Sequence, residues 1–229
     1  MQTAQRINTK KLVLRGSMSS LIFYTDKTQA LVATDTLSVD LEGKPFAFVS
    51  KSAYVPHLKT IIAGTGAGGF ANQWHLYVST RMVLKGIRNL DFHTPKGLSK
   101  LWVDYLVEYS LPEDFTTTVY QFGICEESGE IISFAYRSKN NFVSETLGYG
   151  TGVKPECSVP EGDLMALIPD MMNEQREIQN KEPLESRVYI GGEIYAFYLS
   201  NDGCNCIKLG EFDEYKLQEE QIFNSFVTS

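Results

Sequence analysis
The stretch Ser19-Ser20-Leu21-Ile22-Phe23-Tyr24-Thr25-Asp26-Lys27-Thr28-Gln29-Ala30-Leu31-Val32-Ala33-Thr34-Asp35 decides the reading of the fold. Two short runs rich in β-branched and aromatic residues, Ser20–Tyr24 and Ala30–Thr34, flank a polar turn, the pattern of a hairpin. Phe46–Lys51 and Thr60–Ala63 read as two further strands. The glycine-rich Gly64-Thr65-Gly66-Ala67-Gly68-Gly69 then opens a helical pattern over about Phe70–Lys85. A second helix is expected over about Pro95–Tyr109, with Pro95 in its first turn. Strands return at Thr117–Cys125, Glu130–Arg137 and Phe142–Thr146. A third helix spans about Gly162–Asn180, broken or kinked near Pro169. The final strands, Val188–Leu199 and Cys206–Leu209, enclose the hairpin signal Asn201-Asp202-Gly203, and an acidic tail follows.

Strands, two helices, strands, a helix and strands again is the order of an α+β fold, not of strict β-α alternation. It predicts a four-layer αββα sandwich with two mainly antiparallel sheets between helix layers. The chain has 229 residues, 43% hydrophobic and 21% charged, which suits one globular domain with a substantial core. No apolar run approaches the roughly 18 residues of a membrane span. Lys and Arg total 21 and Asp and Glu 28. Four of the cations (Arg6, Lys10, Lys11 and Arg15) and no acid fall within residues 1–18, so the body is more acidic than the net charge of −7. Such a surface is a poor match for nucleic acid or anionic lipid. Residues 1–18 read as a leader, a tag or a removable pro-segment, and 19–229 as a single domain; removal up to Met18 would leave Ser19 first. Cys204-x-Cys206 has no nearby His, so neither a metal nor a cofactor is expected, and free thiols point to a cytoplasmic setting.

The glycine loop supports three readings. Gly64-x-Gly66-x-x-Gly69 after a strand and before a helix matches the dinucleotide fingerprint, which makes a nucleotide-binding module one alternative. Unpaired amides at a helix start also suit an oxyanion hole. A tight turn with close helix–sheet packing needs no ligand at all. Asp35 and Lys51 each end an apolar strand, and a carboxylate and an amine so placed are expected to pair, because an unpaired buried charge is costly.

With Ser19 as first residue, Asp35 and Lys51 follow at 16 and 32 positions, and Ile61-Ile62-Ala63-Gly64-Thr65-Gly66 leads into the long helix. In this the chain resembles the proteasome β-subunit family and its bacterial proteasome-like relatives, which are N-terminal-nucleophile (Ntn) hydrolases. Leu147-Gly148-Tyr149-Gly150-Thr151-Gly152 and Ile190-Gly191-Gly192-Glu193-Ile194 resemble later family segments. The resemblance implies an Ntn-type peptidase: Ser19 as nucleophile and α-amine base, Asp35 and Lys51 beside it, and the Gly66 amide as oxyanion donor. Ser20, Tyr149 and Glu185 are candidate supports. It further implies peptide or unfolded-protein substrates, homo-oligomers up to a ring, and an ATPase partner. The chain departs from the family in using Ser where most members use Thr, and at Tyr149, Arg187 and Ile190, which favours the alternative of a non-catalytic scaffold subunit.

Overall fold
In the computed structural model the described residues are 19–40 and 42–227, so the expected leader lies outside them. The chain begins β1 (Leu21–Thr25), β2 (Gln29–Asp35), β3 (Leu37–Val39), β4 (Pro45–Phe48), β5 (Ser52–Val55) and β6 (Thr60–Gly66). Helices α1 (Phe70–Arg81) and α2 (Ile87–Tyr109) follow, then β7 (Thr117–Ile124), β8 (Ile131–Arg137), β9 (Ser144–Leu147) and β10 (Gly150–Lys154). Helix α3 (Leu164–Asn180), β11 (Glu193–Ser200), β12 (Gly203–Glu211) and α4 (Tyr215–Val227) complete it.

The strands form three antiparallel sheets among the described residues: β10-β1-β2-β11-β12, β5-β6-β7-β8-β9 and the small pair β3-β4. Alternation along each strand sorts the core into separate seams. Leu21, Val32 and Leu199 of the first sheet meet Ile61, Tyr120 and Phe122 of the second, so the two large sheets pack face to face. On the far side of the second sheet, Phe70, Trp74 and Trp102 of α1 and α2 cover Val119 and Phe134. Ile168, Met171 and Met172 of α3 cover Ile22, Leu31 and Ala196 on the far side of the first. Each of the Val, Leu, Ile, Phe and Met side chains among these contributes about 1.5–3 kcal/mol when withdrawn from water. The order helices, sheet, sheet, helix is compatible with the expected sandwich. No helix among the described residues is long and apolar enough to cross a membrane.

Several boundaries differ from expectation. Phe46–Lys51 is not one strand; β4 pairs with β3, while β5 joins the second large sheet. Helix α2 begins two turns earlier than its proline suggested, and Pro95 lies in its interior. Helix α3 runs through Pro169 without interruption, its start capped by the Asp163 carboxylate, which accepts the Met165 amide at 3.0 Å. The acidic tail forms α4, which lays Tyr215 against Phe48 with ring centroids 5.0 Å apart.

Candidate active site
The site is built on the end of the first hairpin. In the β1–β2 register Leu21 faces Thr34, which brings the residue before Leu21 level with Asp35. The Ser20 amide donates to Asp35 Oδ1 at 3.0 Å. On the other flank β11 runs beside β2, and the Gly191 amide donates to Asp35 Oδ2 at 3.1 Å. Lys51, just before β5, completes the set: its Nζ donates to the two carboxylate oxygens at 2.8 and 2.9 Å. Asp35 is wholly buried and Lys51 is 7% exposed. Burial pushes the Asp35 carboxyl up and the Lys51 ammonium down, each opposed by the attraction of the other. Four donor contacts on one carboxyl group suit its ionised form, and they compensate a charge that would otherwise be expensive inside the sandwich.

Lys51 is tied to the glycine loop through its carbonyl, which accepts the Gly64 amide at 3.2 Å. Gly64 lets α1 approach its sheet, since a Cβ there would lie 2.3 Å from the Ala71 methyl. Gly66 combines a φ of +96° with a close approach to the Thr116 carbonyl, so both the turn and the packing require glycine. The loop therefore has a structural reason of its own. Its amides have a direction as well. Gly64 donates toward Lys51 and Ala67 donates toward Thr116, so the alternation of the ladder turns the Gly66 N–H to the Lys51 side. A shallow cleft, open to solvent, lies there, lined by Ser19, Ser38, Lys51, Gly66 and Asn72 among others. Because β6 has antiparallel neighbours on both sides, the loop does not open the parallel β-α-β unit of a dinucleotide site.

The structure thus brings Ser19, Ser20, Asp35, Lys51 and Gly66 together. It does not bring Tyr149 or Glu185 to them. Tyr149 lies beyond the Thr25 end of β1, half exposed, with its hydroxyl donating to the Ile131 carbonyl at 2.9 Å. Glu185 is exposed on the turn after α3. Ser20 is wholly buried, and its hydroxyl donates to Gln175 Oε1 at 2.5 Å. Gln175, also wholly buried, donates in turn to the Pro155 carbonyl. Sequence reasoning missed Gln175, although a polar residue at the next helical step after Ile168, Met171 and Met172 is a readable anomaly on an apolar stripe. It also missed the Gly191 amide and Asn72, whose side chain donates to the Ser50 carbonyl at 2.9 Å. Arg187 donates to the Asn180 and Glu182 carbonyls at the end of α3, and Ile190 belongs to the core beneath that helix. The four cysteines are free thiols, and no metal-holding group of three or more His, Cys, Asp or Glu occurs among the described residues. No family model and no curated protein matches the chain.

Proposed function
We propose that the chain is an N-terminal-serine amidohydrolase, a proteasome-like peptidase with an Ntn-type sandwich. The single observation that carries this reading is the convergence of the Ser20 amide, the Gly191 amide and the Lys51 ammonium on the buried Asp35, with Lys51 also lining a cleft that it shares with Ser19 and Gly66. Hydrolysis of the Met18–Ser19 bond frees the α-amine of Ser19. That amine, with an ordinary pKa near 8, takes the proton of its own residue's hydroxyl as the oxygen attacks a substrate carbonyl. The Lys51 cation lowers the amine's pKa and so keeps more of it in the basic form. The Gly66 N–H stabilises the tetrahedral oxyanion. Collapse expels the leaving amine with the transferred proton and leaves an ester on Ser19, which water then hydrolyses to restore the hydroxyl. Ser20 positions the nucleophile by anchoring its amide on Asp35 and its side chain on Gln175. On this reading the substrate is a peptide or an unfolded protein; the free thiols suit a cytoplasmic setting, and the family resemblance adds a homo-oligomer, a ring, served by an ATPase partner.

Intact mass followed by a fluorogenic peptide-amide assay tests the proposal. The expected result is a chain that begins at Ser19 and releases the fluorophore, with activity lost in Ser19→Ala and kept in Ser19→Thr. A chain that begins at Ser19 yet hydrolyses no amide overturns the enzyme reading in favour of the non-catalytic scaffold.

A further inference from the structure
On the opposite flank of Ser19 from Lys51 there is a cation that the mechanism above does not use. Strand β10 places Lys154 opposite Leu21, next to the start of β1. Its neighbour Val153 faces α3, whereas Gly152 lies under the Phe23 ring between the sheets, so the alternation turns Lys154 into the space between the sheets. There Nζ reaches across to Thr118 Oγ1 at 3.5 Å. Thr118 is the cross-strand partner of Thr65, which lines the cleft, and of Arg137 on the next strand. The charges around Lys154 are of its own sign. Burial, then Arg137, then Lys139 push its ammonium below the ordinary lysine value. Arg137 already has a partner in Glu145, which also accepts from Asn140 at 2.6 Å. Among the described residues no carboxylate pairs with Lys154. A part-buried ammonium with no carboxylate partner is unfavourable unless an anion completes it.

We propose that Lys154 is a subsite for a substrate carboxylate, so that a peptide crossing Ser19 presents an acidic side chain to the β10 side of the cleft. The inference rests on the peptidase reading and adds a substrate preference to it. Ser19 and the oxyanion donor act on the scissile bond, while Lys154 selects what lies beside it. A charge-assisted contact in a partly desolvated slot discriminates Glu from Gln by about tenfold or more.

Two measurements on matched peptides, differing only in Glu, Gln or Lys at one position, test this. In the first, kcat/KM ratios are measured with the wild-type chain, Lys154→Met and Lys154→Arg, each with its melting temperature recorded. The expected result is a Glu-to-Gln ratio of about ten or more that falls toward one in Lys154→Met, survives in Lys154→Arg and shrinks as salt is raised. In the second, fluorescence anisotropy follows binding of the same peptides made with a reduced, uncleavable amide. A Glu preference in binding with no cleavage of any peptide sinks the peptidase reading and leaves the subsite standing. Equal handling of Glu and Gln in both measurements, or a preference unchanged in a folded Lys154→Met, overturns the subsite.

Discussion

Strand β2 has an aspartate near each end, and the two live in opposite worlds. Asp26, in the hairpin turn before the strand, accepts the Thr28 amide at 2.7 Å, the Gln29 amide at 3.1 Å and the side chains of both residues, all close by in sequence and near water. Asp35, at the other end, takes four contacts, one fewer than Asp26 once the Tyr24 hydroxyl at 3.2 Å is counted, and they come from Ser20, Lys51 and Gly191 in three separate parts of the chain. Local donors in a wet turn hold the Asp26 carboxyl well below the usual carboxylate range, the Thr28 amide foremost. Burial drives Asp35 the other way. The contrast teaches that the number of hydrogen bonds does not separate a turn-forming carboxylate from one that organises a site. Desolvation does, because it makes the distant partner Lys51 indispensable.

The comparison is broken most severely by removing that partner. Lys51→Met is expected to cost about 3–5 kcal/mol in chemical unfolding, because a buried carboxylate is left without its cation. Next comes the bridge behind Ser20: Gln175→Leu strands the Ser20 hydroxyl and the Pro155 carbonyl, with an expected loss of about 1–3 kcal/mol per group left unpaired. At the other end of β2, Asp26→Ala should cost no more than about 1 kcal/mol, since water replaces the lost contacts. A carboxyl-carbon NMR titration sharpens the contrast without a mutation: as pH falls, Asp35 should protonate before Asp26. The signs follow from linkage. The stability that Asp26 supplies is present above its unfolded pKa, near 4, and is lost as pH drops through its lower folded value. For Asp35 alone the slope reverses, its contribution being complete below about pH 4 and lost as pH rises through the raised folded value.

The same contrast explains what could be read from the chain. The β1–β2 hairpin, the Asn201-Asp202-Gly203 hairpin and the start of α1 at Phe70 depend on neighbours in sequence, and all three were legible. The Asp35–Lys51 pair was legible because two charged residues ending apolar runs have few alternatives to each other. Strand β10 was not, since Gly150 and Gly152 look like a loop; only the Phe23 ring, which a Cβ on Gly152 would meet at 2.2 Å, explains the missing side chain. The split of Phe46–Lys51 was hidden for a related reason, because hydrophobicity alone does not say which sheet a residue joins. Tyr149 misled because its position in a glycine-rich segment says nothing about the end of the sandwich at which its hydroxyl docks.

The central claim is that the hydroxyl and the amine of Ser19 act as one reactive unit beside Asp35 and Lys51. A peptide epoxyketone tests it most directly, because its stable ring adduct consumes a hydroxyl and a free α-amine of the same residue. Peptide mapping by mass spectrometry after incubation is predicted to place the adduct on an N-terminal Ser19, at a rate that collapses in Lys51→Met. A chain that starts at Ser19 and remains unmodified, or that is modified equally fast in a folded Lys51→Met, would contradict it.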